Sequence, residues 1–137
     1  MNLKRIAIGT VVGAIALYLL GMLIWTVLFA DFFDANAGSA AGVDRDAPIL
    51  WAVIIGTLAY AKLLTFALES QSSKSVVDGV KVGAMVGALL WCTADFIIFG
   101  YTNMSTLTGA VADTVLEGVR GGIAGGVIAF VLSKVGD

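Results

Sequence analysis

Four ionisable residues stand inside stretches of sequence that are otherwise apolar: Asp95, Asp113, Glu117 and Arg120. Asp113 and Glu117 are four apart, and Arg120 follows three later. At about 100° per residue, a helix carries all three within roughly 60° of one face. One arginine cannot neutralise three carboxylates, so in a dry setting the surplus needs a proton, a cation or water. The chemistry open to this set is proton exchange or cation binding. The alternative is a structural ion-pair network in which Arg120 bridges Glu117 and Asp113 or Asp95. Asn103 and Thr114 complete the candidate pocket, and Thr93, Tyr18, Tyr60 and Cys92 are further polar neighbours. Hydrolysis by paired carboxylates is poorly served, because no nucleophile has a base beside it. The chain has no histidine, which removes the commonest metal ligand and general base. No metal-ligand spacing appears and no cofactor is implied. The one cysteine, Cys92, reads as a small packing residue.

These residues must be held by elements that tolerate an apolar solvent. Of 137 residues, 59% are hydrophobic and only 13% are charged. Mean hydropathy is +0.98. This balance excludes a disordered chain, a basic nucleic-acid binder and a disulfide-stapled secreted domain. A soluble domain of this size needs more polar surface. About 20 apolar residues span a bilayer as a helix. Ile6–Ala30 contains no Asp, Glu, Lys or Arg and is the clearest span. It is too long for the core of a signal peptide. Residues 47–68, 79–101 and 107–133 are three more spans, and 31–46 is the longest loop. None shows the alternating polarity of a barrel strand. The expectation is one all-α domain over 1–137, a transmembrane four-helix bundle. Pro48 is expected in the first turn of the second span. Glu69–Lys74 and Thr102–Thr106 are short connectors, which make consecutive helices antiparallel neighbours.

Charge sets the orientation. Lys4, Arg5, Lys62, Lys74, Lys81 and Lys134 fall on one side, against Arg45 alone among Asp31, Asp34, Asp44 and Asp46 on the other. The positive-inside rule puts both termini in the cytoplasm, consistent with a bacterial inner membrane. Trp25, Trp51 and Tyr101 lie where an outer aromatic belt would. On these boundaries Asp95 and Asp113 each sit about 9 Å below the outer surface, Glu117 a turn deeper and Arg120 near mid-membrane. The expected site is an acidic pocket opening outward between the third and fourth helices, with the arginine at its floor.

Small residues four apart let helix backbones approach closely in lipid. Gly9 and Gly13 form such a pair in the first helix, and Gly79, Gly83 and Gly87 form a row in the third. The fourth helix carries two rows, Gly118, Gly122 and Gly126 beside Gly121 and Gly125. Two rows exceed what one neighbour needs, so the fourth helix is expected to pack against two others. A phosphate-cradling loop is excluded here, because no Lys-Ser/Thr follows the glycines.

Several short stretches resemble a family of uncharacterised small four-helix bacterial integral membrane proteins, grouped as a domain of unknown function. They are Leu20-Gly-Met-Leu-Ile-Trp25 with Phe29, Phe32 and Phe33; Gly83-Ala-Met-Val-Gly87; Thr93-Ala-Asp95; Tyr101-Thr-Asn-Met-Ser-Thr106; and Ala112-Asp-Thr114. The resemblance spans most of the chain. It implies the four-helix fold and marks Asp95, Thr102-Asn103 and Asp113-Thr114 as recurring positions. Ala94 stands where such families often carry tyrosine, and no tryptophan lies near Glu117. The resemblance supplies no substrate. Small multidrug exporters are similar in length but need an acid in the middle of the first helix, which is absent here.

Two functions are consistent with these features, neither of them an established enzyme activity. The first is a structural or accessory subunit of a membrane assembly, held by glycine packing and an intramembrane ion-pair network. The alternative is a homo-oligomeric proton- or cation-linked permease or channel using the acidic pocket. The partners expected are the lipid bilayer and either further copies or other membrane subunits, with no nucleic acid.

Overall fold

The computed structural model describes residues 2–71 and 75–135. Lys74 and the end of the connector that holds it lie outside the described residues. The described chain is all-helical apart from one isolated bridge, Ala37 to Ser105. The elements are α1 (Leu3–Gly21), a π-helical segment (Met22–Leu28), α2 (Ala30–Ala35), α3 (Leu50–Glu69), α4 (Val76–Tyr101) and α5 (Leu107–Leu132). Four stretches are long and apolar enough to cross a membrane: Leu3–Leu28, α3, α4 and α5.

Helix starts follow local capping chemistry. Asn2 Oδ1 accepts from the Lys4 amide at 3.0 Å and opens α1. Ser75 and Asp78 form a capping box at α4, with Asp78 N donating to Ser75 Oγ at 3.1 Å and Ser75 N to Asp78 Oδ2 at 3.3 Å. Thr106 Oγ1 accepts from the Gly109 amide at 3.1 Å and opens α5. α3 has no side-chain cap. It begins at Leu50, so Pro48 lies before the helix and not in its first turn. Pro48 at the first helical position would make Ala47 the cap residue, and alanine has no acceptor to offer. The first span is also less regular than expected. Its α-helix widens into the π segment at Met22, and Phe29 (φ −123°, ψ 13°) breaks the path before α2 occupies the start of the expected loop.

α1 runs antiparallel to α3 and α5, and α4 antiparallel to α5. The core lies between α1, α3 and α5, with Leu17, Ala61, Leu64, Leu68, Ala124 and Ile128 all buried. α5 is the most enclosed helix, with 56% of its apolar window buried against 11% for α4. Its glycines explain this. A Cβ on Gly79 would lie 2.5 Å from the Gly125 carbonyl oxygen, and one on Gly87 2.5 Å from the Glu117 carbonyl oxygen. Gly83 and Gly121 each face the other's carbonyl still more closely. The second row faces the same way: a Cβ on Gly118 or Gly122 would lie 3.3 Å from Ala88 or Ala84, and one on Gly126 2.8 Å from Val80. Both rows of α5 therefore face α4, with Gly121 also against the Tyr60 hydroxyl of α3; α5 does pack on more than one helix, but its second glycine row is not what meets α1. The backbones approach so closely that α4 sinks between the rows. α5 meets α1 through other residues, with Ile128 against Gly9 and Gly13.

At the α4–α5 turn, loop and turn are joined through backbone. Gly38 N donates to Met104 O (3.1 Å), Ala40 N to Asn103 O (3.0 Å) and Thr106 N to Asn36 O (3.1 Å). Gly38 has no room for a side chain, since the Asn103 carbonyl occupies the space a Cβ would take.

At the opposite end, Arg5 of α1 is buried and tied to the ends of α3 and α5 and to the turn after α5. Its Nε and Nη2 each donate to Glu69 at 3.0 Å, and its Nη1 donates to the carbonyls of Leu132 (3.0 Å) and Val135 (2.6 Å). Arg5 reads in the sequence as an orientation charge. In the structure it is a bidentate clamp.

Candidate functional site

The structure divides the four ionisable residues into two linked halves. Glu117 and Arg120 form the inner half. Arg120 Nη1 lies 2.6 Å from Glu117 Oε1, a pairing set by their three-residue spacing on α5. The arginine does not reach Asp113 or Asp95 as a bridge. Its Nε and Nη2 instead donate to the Leu17 carbonyl at 3.0 and 2.8 Å. It can do so because Gly21, one turn on, has no side chain: a Cβ there would lie 3.0 Å from Nη2. Glu117 is 2% exposed, and its Oε2 has no hydrogen-bond partner among the described residues.

Asp95 and Asp113 form the outer half. Thr114 Oγ1 donates to Asp95 Oδ2 at 2.9 Å. Trp25 Nε1 donates to Asp113 Oδ1 at 2.6 Å. The two residues face the same cavity. Two bare carboxylates at one cavity repel, which favours a proton or a cation beside them. Among the described residues neither has a lysine or arginine within ion-pair distance. Both line a cavity of about 270 Å³ together with Trp25, Phe33, Met104 and Ser105.

Trp25 joins the halves. While its Nε1 holds Asp113, its ring lies 5.3 Å from Arg120 Cζ, at cation–π range. Phe33 of α2 packs beside it with centroids 6.3 Å apart. Trp25 sits in the π segment, a geometry that is rare and often found at functional sites. It is half-buried and turned into the site rather than outward in an aromatic belt. Trp51 and Tyr101 are exposed, at 66% and 89%.

Other polar candidates fall elsewhere. The described role of Asn103 is its backbone carbonyl, and the residue does not line the acidic cavity. Thr93 Oγ1 donates to its own helix at Leu89. Tyr18 lines a separate apolar groove with Val11 and Ile54. Cys92 is half-buried and free. Tyr60 does approach the inner half: Arg120 Cζ lies 5.9 Å from its ring centroid. Among the described residues no three His, Cys, Asp or Glu side chains converge as a metal site. The residues that sequence reasoning missed here are Trp25, Phe33, Gly21 and the Leu17 carbonyl. Gly21, Trp25 and Phe33 all fall in the first stretch that carries the resemblance, but nothing in their spacing directs them at the acids. No family model, no curated protein and no solved structure matches the chain.

Proposed function

We propose that this chain is an integral protein of the bacterial cytoplasmic membrane, with both termini cytoplasmic, and that its acidic cavity binds a proton or small cation as part of a homo-oligomeric permease or channel. One observation carries the reading. Asp95 and Asp113 face one cavity, with no lysine or arginine within ion-pair distance among the described residues, whereas Glu117 is already matched by Arg120. Ionisable residues within membrane spans face an interior or a wet cavity and mark ion or proton paths. A network built only for assembly has no use for an unmatched pair beside a cavity. Four spans are few for a complete path through one protomer, so the reading requires association of copies.

The accessory-subunit reading is favoured by a different observation. Arg5–Glu69 is enclosed, with side chains 7% and 4% exposed, and serves to hold helices together. Liposomes containing the purified protein discriminate the two. Uptake across a cation panel at several pH values should be measurable for the native chain and lost in Asp95→Asn/Asp113→Asn. Equal flux in both proteins, or none in either, overturns the transport reading. A stable partner protein retained through mild-detergent purification would favour the accessory role.

A further inference from the structure

The segment after the π turn lies along the rim of the acidic cavity. It starts at Phe29, where the helical path breaks, and ends at Gly42, which has a positive φ of 69°. Between these ends α2 brings Phe33 into the cavity wall. Residues 36–40 then run beside the α4–α5 turn. Gly38 N and Ala40 N donate to the carbonyls of Met104 and Asn103, and Thr106 N donates to that of Asn36. Met104, Ser105 and Gly109 both touch this segment and line the cavity.

The fastening is shallow. No residue from 29 to 50 is buried. What holds the segment down is the set of backbone bonds, with Thr106 Oγ1 donating to Asn36 Oδ1 at 3.3 Å. Segments with little buried apolar surface open more readily than the core. Trp25, just upstream, is fixed by Asp113 and Arg120. The break at Phe29 thus separates an anchored residue from a lightly held one, as a hinge does. Lifting the segment off the turn draws Phe33 out of the cavity wall and leaves both aspartates in place.

We infer that residues 29–42 form a hinged strap that gates the acidic cavity, opening when its backbone bonds to the α4–α5 turn are released. The gate presupposes that this cavity is the binding site proposed above, but its test does not need transport. The turn itself supplies a lock. Ala37 and Ser105 face each other as an antiparallel bridge, flanked by the Gly38–Met104 and Thr106–Asn36 bonds. That makes them a non-hydrogen-bonded pair, with Cα atoms about 4.5 Å apart. A disulfide spans this separation. Gly38 supplies the opposite manipulation, because a Cβ there collides with the Asn103 carbonyl.

The test uses the full chain in nanodiscs. A water-soluble carbodiimide with an amine tag marks accessible carboxyl groups, and mass spectrometry locates them. Slow tagging reads the population of the open form. Ala37→Cys/Ser105→Cys, in a Cys92→Ala background, is compared with itself, oxidised and reduced. Tagging of Asp95 and Asp113 should be lost on oxidation and return with reductant. Tagging of Asp44 and Asp46, exposed in the loop beyond the strap, should stay constant. In Gly38→Ala, tagging of Asp95 and Asp113 should rise about tenfold over the native chain, the loss of one backbone hydrogen bond. Equal tagging in the oxidised and reduced forms, no rise in Gly38→Ala, or no tagging of either aspartate in any form overturns the inference. Gated tagging in a protein that gives no cation flux in liposomes would overturn the transport reading and leave the strap standing.

Discussion

Trp25 donates its indole N–H to Asp113 at 2.6 Å, across 88 residues of sequence. This bond ties the π segment to α5 and places an aromatic face between a carboxylate and a guanidinium. Trp25→Phe keeps the ring over Arg120 but removes the donor. Asp113 then loses a charge-assisted partner, and stability should fall by about 1–3 kcal/mol. Thermal unfolding in detergent measures this. An unchanged midpoint would mean the bond contributes nothing.

Asp95→Asn separates binding from stability. The amide oxygen can still accept from Thr114, and the repulsion between two carboxylates at one cavity is removed. The variant should be as stable as the native chain or about 1 kcal/mol more so, while cation uptake is lost. A large destabilisation would instead assign Asp95 to structure.

The glycine seam makes a paired prediction. Gly83→Ala and Gly121→Ala each put a methyl group against a backbone carbonyl that cannot move aside. Each should cost about 1–3 kcal/mol or more and separate α4 from α5. Gly56→Ala and Gly100→Ala meet open space and should be neutral. Unfolding midpoints of the four variants, measured side by side, decide it.

Arg5→Gln should be severe. It leaves Glu69 without its bidentate partner in an enclosed site and strips two carbonyls of donors. The loss expected is about 3–5 kcal/mol. Arg5→Lys should rescue little, because an ammonium cannot reproduce the planar fork.

Glu117 and Arg120 should behave as a unit. Either Glu117→Leu or Arg120→Leu alone leaves a buried charge. The double variant should be less destabilised than the sum of the two, with a coupling of about 0.5–3 kcal/mol. Strict additivity would count against the pair.

Features that depend on one helix were readable from spacing. Hydropathy locates the four long helices to within a few residues at most ends. The interval of three between Glu117 and Arg120 puts them in reach on any α-helix. Relations between helices were not readable, because they depend on rotation about each axis. Nothing in residues 22–28 announces a π turn, yet the wider turn redirects Trp25 toward Asp113. The two glycine rows of α5 do not say which helix each one meets: both face α4, while α1 is met by Ile128. Arg5 looks like an orientation charge because its partners lie 64 and 127 positions away.

That last separation has a consequence for how the protein is made. α1 is translated before α5, so the carbonyls that Arg5 grips, those of Leu132 and Val135, do not yet exist when α1 and Glu69 have been made. The α4–α5 hairpin can close as soon as it is synthesised, since only five residues join its arms. Arg5 can therefore pair with Glu69 of α3 before the carbonyls at the end of α5 complete its set of acceptors. Until then its Nη1 donors are left to water.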